Sequence, residues 1–125
     1  METGGMKGRR KEIIRNELHK LLCDGFGVAK IHSEYGMTEL LSQGYSKGKG
    51  EFSHSKTMRV LLREFKDPLS IHTEGKGALN IIDLANIESC CFIATEDQGT
   101  VSANHFEVSG RIDHSDIRGC NLMIQ

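Results

Sequence analysis

The sequence predicts an α+β fold: a short α/β segment over residues 1–45, then a β-rich half over residues 46–125. Three observations carry this reading. The one stretch with helical periodicity lies before residue 25. Past residue 57 the apolar residues come in short runs of strand length, and glycine, proline and aspartate turn signals separate them. The frequency of those turns favours a small antiparallel sheet or partial barrel. At 125 residues the chain is one domain's worth, long enough to bury a core.

Taken in order, the glycine-dense opening Gly4-Gly5-Met6-Lys7-Gly8 precedes a helix expected over Arg10 to Leu22. Its apolar residues Ile13, Ile14, Leu18, Leu21 and Leu22 form one amphipathic stripe. Asp24-Gly25 and Gly27 are the stop signals. Val28-Ala29-Lys30-Ile31 reads as a short strand that leads into a ligand loop, the place where open α/β sheets usually bind. Residues 44–56 are glycine- and lysine-rich and read as a surface loop. Strands are expected at Thr57 to Phe65, Ala78 to Ala85, Cys90 to Ala94, Val101 to Ala103 and His105 to Val108. Asp67-Pro68, Gly75-Lys76-Gly77 and Gln98-Gly99 are the expected turns.

Composition narrows the partners. A net charge of −1 gives no general pull toward nucleic acid or an anionic membrane. No run reaches the roughly 18 apolar residues of a membrane helix, and the N-terminus lacks an apolar signal core. A cytoplasmic protein is expected. Cys23, Cys90, Cys91 and Cys120 show no CxxC spacing, so reduced thiols are the default and no zinc site is indicated.

The chemistry concentrates at Tyr35-Gly36-Met37-Thr38-Glu39. Tyr35 offers a flat face for a purine, and Gly36 lets the backbone approach a ligand. Thr38 has a hydroxyl suited to phosphate oxygens, and Glu39 a hard oxygen suited to Mg²⁺. A turn feeding a helix uses the same residue types. This pentapeptide resembles the YGxTE motif of the adenylate-forming enzymes, which include acyl- and aryl-CoA ligases and luciferases. The resemblance implies that Tyr35 lies against adenine, Thr38 touches the α-phosphate and Glu39 helps hold Mg²⁺.

Two later stretches extend it. Thr95-Glu96-Asp97 and Gly110-Arg111-Ile112-Asp113 resemble the TGD and GRxD motifs, with Glu96 standing where TGD has glycine. By that resemblance Asp97 and Arg111 grip the ribose hydroxyls. A carboxylate accepts from vicinal hydroxyls and a guanidinium donates back.

The tail from Phe106 to Met123, the Ser33 to Leu40 stretch and the Gly4-Gly5 loop with its helix are similar to the C-terminal portion of acyl-protein synthetases of the LuxE type. That family activates a fatty acid with ATP to an acyl-adenylate and passes the acyl group to a cysteine. Cys120 matches the acceptor, because a thiolate attacks a mixed anhydride readily. Arg111 and Arg118 are near it in sequence. The resemblance thus implies ATP or AMP and Mg²⁺ as cofactors, Thr38 and Cys120 as catalytic residues, and a fatty acid as substrate. An acyl-transferring or reductase protein would be the partner. The family's phosphate loop would lie upstream and its catalytic-lysine domain downstream, so this chain is expected to be one piece of such an enzyme. Two alternatives stand beside this: an aryl-CoA ligase of the phenylacetate type, and a non-catalytic module of an enzyme complex.

Overall fold

A computed structural model describes residues 1–3 and 13–112 of the chain. The Gly4-Gly5 loop, Asp113 and Cys120 lie outside the described residues. Among the described residues the fold is mixed α+β, with one α-helix, α1 (Arg15–Phe26), a short 3-10 turn at Leu84–Asn86, and eight strands. The strands are β1 (Ser33–Tyr35), β2 (Gly44–Ser46), β3 (Glu51–His54), β4 (Met58–Arg63), β5 (Ile71–His72), β6 (Gly75–Asp83), β7 (Phe92–Ser102) and β8 (His105–Arg111). They form one open sheet in the order β1-β2-β3-β8-β7-β6-β4-β5, and the paired strands are antiparallel.

Helix α1 starts and ends later than its apolar stripe suggests. Gly25 lies within it, at a cost of about 1 kcal/mol relative to alanine. The stop comes at Gly27, whose φ of 65° sets a left-handed cap with its N–H on the Cys23 carbonyl. No helix residue is fully buried, Ile14 and Leu21 are exposed, and no helix residue joins the core cluster.

No strand forms over Val28 to Ile31. The strand begins at Ser33 and contains Tyr35 itself. Its partners are β2 and, through one parallel bridge, Glu2. The Glu2 N–H donates to the His32 carbonyl at 2.8 Å, and the Glu34 N–H donates to the Glu2 carbonyl at 2.9 Å. Residues 44–56 are likewise not a loop but the β2–β3 hairpin. Its inward residues Gly44 and Ser46 are too small to print an apolar period. Gly44 is required, since a Cβ there would sit 2.7 Å from the Phe106 ring. The expected division after residue 45 falls inside β2, and the sheet runs on across it.

Gly75-Lys76-Gly77 and Gln98-Gly99 are not turns either. Both lie inside the long strands β6 and β7, where Gly77 pairs with Gly99. Their glycines serve close backbone approach. A Cβ on Gly99 would lie 1.9 Å from the Glu107 carbonyl oxygen, and one on Gly77 2.7 Å from that of Arg63. The sheet bends here and curls until β3 and β4 touch. Inside the curl lie Phe52, Phe106, Leu62, Leu79 and Ile81, each almost without exposed surface, with Tyr35, Val60 and Val101 beside them. Truncating either phenylalanine to alanine would cost about 3–5 kcal/mol.

Candidate functional site

Tyr35 enters the core at the end of β1. Its ring packs edge-on against Phe106 and Phe52, at centroid distances of 5.3 and 6.1 Å, and keeps 8% of its surface exposed. No open face is left for adenine. The hydroxyl is what reaches the site: it donates to Asp97 Oδ2 at 2.7 Å. Burial, and then the bond to Asp97 and its charge, push the phenol far above its ordinary value, so the proton stays on Tyr35.

Asp97 and Arg111 meet because β7 and β8 form a hairpin around Ala103 and Asn104, with Ser102 opposite His105. A plain hairpin would set Arg111 opposite Glu96. Between Gln98 and Gly99 the register shifts by one, leaving Ser109 unpaired, and Arg111 comes to face Asp97. Arg111 Nε stands 3.8 Å from Asp97 Oδ1, and Nη2 is 3.1 Å from Glu96 Oε2. Asp97 keeps 19% of its side chain exposed and Arg111 73%. The Asp97 N–H is anchored on Thr95 Oγ1 at 3.1 Å, and Thr95 in turn donates to the Leu79 carbonyl at 2.9 Å.

Beneath them Arg63 donates to Asn80 Oδ1 at 2.7 Å, to the Leu79 carbonyl at 3.1 Å and to the Thr95 carbonyl. Burial lowers the Arg63 value and the charge of Glu96 opposes that. Sequence reasoning missed both Arg63 and the part of Glu96. A cross-strand register was the only signal for either, and the bulge hid it.

Thr38 and Glu39 occupy the exposed turn after β1, closed by the Leu40 N–H on the Met37 carbonyl at 3.1 Å. This turn is tied to a different part of the sheet. The Glu39 carbonyl accepts from Asn86 Nδ2 at 2.8 Å, and the Leu41 and Ser42 N–H groups donate to buried Asp83 at 2.9 and 2.8 Å. Gly36 is exposed, with Gln43 3.3 Å from where a Cβ would stand. The structure therefore brings Tyr35, Asp97 and Arg111 together, and ties the turn that carries Thr38 and Glu39 to Asp83 and Asn86 instead. Among the described residues no three His, Cys, Asp or Glu groups converge as a metal site. Glu39 offers one carboxylate, which suits a Mg²⁺ ion shared with phosphates.

A second constellation, Ser33, His19 and Glu2, has the residue types of a hydrolytic triad. Ser33 Oγ is 2.5 Å from Glu2 Oε1 and 3.0 Å from His19 Nε2, which itself lies 2.9 Å from Glu2. One nitrogen faces both partners, so it cannot hold a proton for the acid and accept one from the serine. With Ser33 fully buried, the cluster ties Glu2, α1 and β1 together structurally.

Two clefts among the described residues, of about 580 and 430 Å³, are lined by none of Tyr35, Asp97 and Arg111. No helix among the described residues is long and apolar enough to cross a membrane. Comparison of the chain with protein-family models, curated proteins and solved structures found no match.

Proposed function

We propose that this chain carries the nucleotide-contacting part of an ATP-dependent acyl-activating enzyme of the acyl-protein synthetase kind. In this reading a fatty acid carboxylate attacks the α-phosphorus of ATP and pyrophosphate leaves. A thiolate then attacks the acyl carbon and AMP leaves. Asp97 and Arg111 take the ribose hydroxyls, Thr38 the α-phosphate and Glu39 the Mg²⁺ ion. Cys120, outside the described residues, is the acyl acceptor.

The observation that carries the reading is the Asp97–Arg111 pair. Two residues from motifs fourteen positions apart face each other, and a register shift is spent on making them do so. Asp97 Oδ2 is engaged by Tyr35, while Oδ1, 3.8 Å from Arg111, remains free to accept from a diol. Tyr35 is assigned a positioning role in place of stacking.

Calorimetric titration with AMP tests this, comparing the chain with Asp97→Asn. The asparagine keeps the shape but cannot accept at both positions, so AMP affinity should fall at least about tenfold, or 1.4 kcal/mol. Equal affinity in both proteins, or none in either, overturns the assignment.

A further inference from the structure

The 580 Å³ cleft lies between α1 and the β2–β3 hairpin. Its walls carry Lys30, Lys47 and Lys49 against a single carboxylate, Glu51, with His19 and Cys23 on the helix side. No ion pair among the described residues involves any of the three lysines. Three unpaired cations in one concavity repel one another and raise the local potential for an anion.

Two features show that the cations are placed. The Lys30 stem runs beside the hairpin tip, its Cδ 4.0 Å from where a Cβ on Gly48 would stand. Lys49 has a φ of 67°, between Gly48 at 110° and Gly50 at 76°. Of the non-glycine residues described, it is the one in that region, which glycine or asparagine would occupy at less strain. Its charge accounts for a residue that its backbone does not. The Ser46 hydroxyl holds the tip by donating to the Gly48 carbonyl at 2.9 Å.

We propose that this cleft is a phosphate site, taking a diphosphate either as the free anion or as the phosphate end of a larger ester. Lysine ammonium groups are compact, strongly charged donors suited to phosphate oxygens. The volume admits a small anion rather than a protein surface, and the half-exposed Tyr45 ring at its wall can cover an organic extension. Tyr45 and Glu51 are the outward residues of β2 and β3, whereas Tyr35 meets Asp97 on the core side. The inference therefore stands apart from the nucleotide reading.

The test is a titration of nitrogen-15-labelled chain at constant ionic strength, with inorganic pyrophosphate in one arm and coenzyme A in the other. Saturating amide shifts at Lys47 to Gly50 and at Cys23 are expected. Pyrophosphate binding assigns the free anion, and binding of coenzyme A alone assigns the ester. Lys47→Gln with Lys49→Gly should weaken binding about tenfold or more. The glycine relieves the left-handed residue, so Tm should not fall, and Lys30→Gln gives an independent second variant. Asp97→Asn should bind pyrophosphate like the unaltered chain, which separates this site from the nucleotide site. Non-saturating shifts spread over all lysines, no binding in either arm, or unchanged affinity in both lysine variants overturns the proposal.

Discussion

Tyr35→Phe separates two jobs for one side chain. A ring stacked on adenine would be served nearly as well by phenylalanine, because any aromatic presents a π-face. In the structure both ring contacts belong to Phe52 and Phe106, and the oxygen is the working atom. The substitution keeps the packing and deletes one hydrogen bond to a charged acceptor, worth about 1.5–3 kcal/mol. Asp97 remains partly exposed, so water can take the place of the hydroxyl and the lower half of that range is expected. With a urea slope of about 1–3 kcal/mol per molar, the unfolding midpoint should drop by roughly 1 M.

Urea unfolding of the unaltered chain, Tyr35→Phe, Asp97→Asn and the double variant closes a cycle whose coupling energy should be about 1–2 kcal/mol. Additivity within about 0.3 kcal/mol would show that the bond contributes nothing. AMP titration of the same four proteins gives the functional half. Affinity should fall in Tyr35→Phe because Asp97 is no longer held in place. Full affinity in Tyr35→Phe together with its loss in Tyr35→Leu would refute the positioning role and restore stacking.

Asp83→Asn should be more damaging to the fold. Oδ1 accepts from the Ser42 hydroxyl at 2.6 Å and the Ala85 N–H at 3.1 Å, and Oδ2 from the Leu41 and Ser42 N–H groups, so an amide loses two bonds and about 3 kcal/mol or more. Burial pushes the Asp83 carboxyl up, but the donors led by Ser42 outweigh it and hold it below its ordinary 3.8. Its contribution is therefore complete above about pH 3.8 and is lost as the pH falls through the lower folded value. An acid titration of stability should show that loss in the unaltered chain and not in Asp83→Asn. Cys120→Ser should leave AMP affinity unchanged while abolishing a hydroxylamine-sensitive adduct from labelled acyl-adenylate, with Cys91→Ser as the control. A label that survives Cys120→Ser places the acceptor elsewhere.

The fold class was legible from periodicity where side chains are large. Met58, Val60 and Leu62 alternate with Arg59 and Arg63 and mark out β4; the apolar runs at residues 78–85 and 90–94 overlap the end of β6 and the start of β7. Illegible were the elements whose inward residues are small or polar. Ser33, Gly44 and Ser46 are buried on β1 and β2 without any apolar period to announce them. Glycine misled in the opposite direction, since Gly77 and Gly99 punctuate sequence as turns do but sit in strand interiors where another backbone presses close. At the candidate site, the motif positions named Asp97 and Arg111. They could not say that Tyr35 would be covered, because that depends on Phe52 and Phe106, which arrive from β3 and β8.

The two proposed sites divide their work by electrostatics. Around Asp97 two carboxylates, Glu96 and Asp97, stand with two guanidinium groups, Arg111 and the half-buried Arg63. Their charges largely cancel, so nothing there draws a phosphate from a distance. What the pair offers is directional: an acceptor oxygen and a planar donor fixed on opposing strands, suited to a neutral diol. At the hairpin cleft three lysines face one carboxylate, and none of the three is held in an ion pair among the described residues. That arrangement selects by charge rather than by geometry. Salt should discriminate between them, since at physiological ionic strength the screening length is about 8 Å. Raising salt would weaken an anion held by exposed lysines and leave a diol held by Asp97 and Arg111 almost untouched.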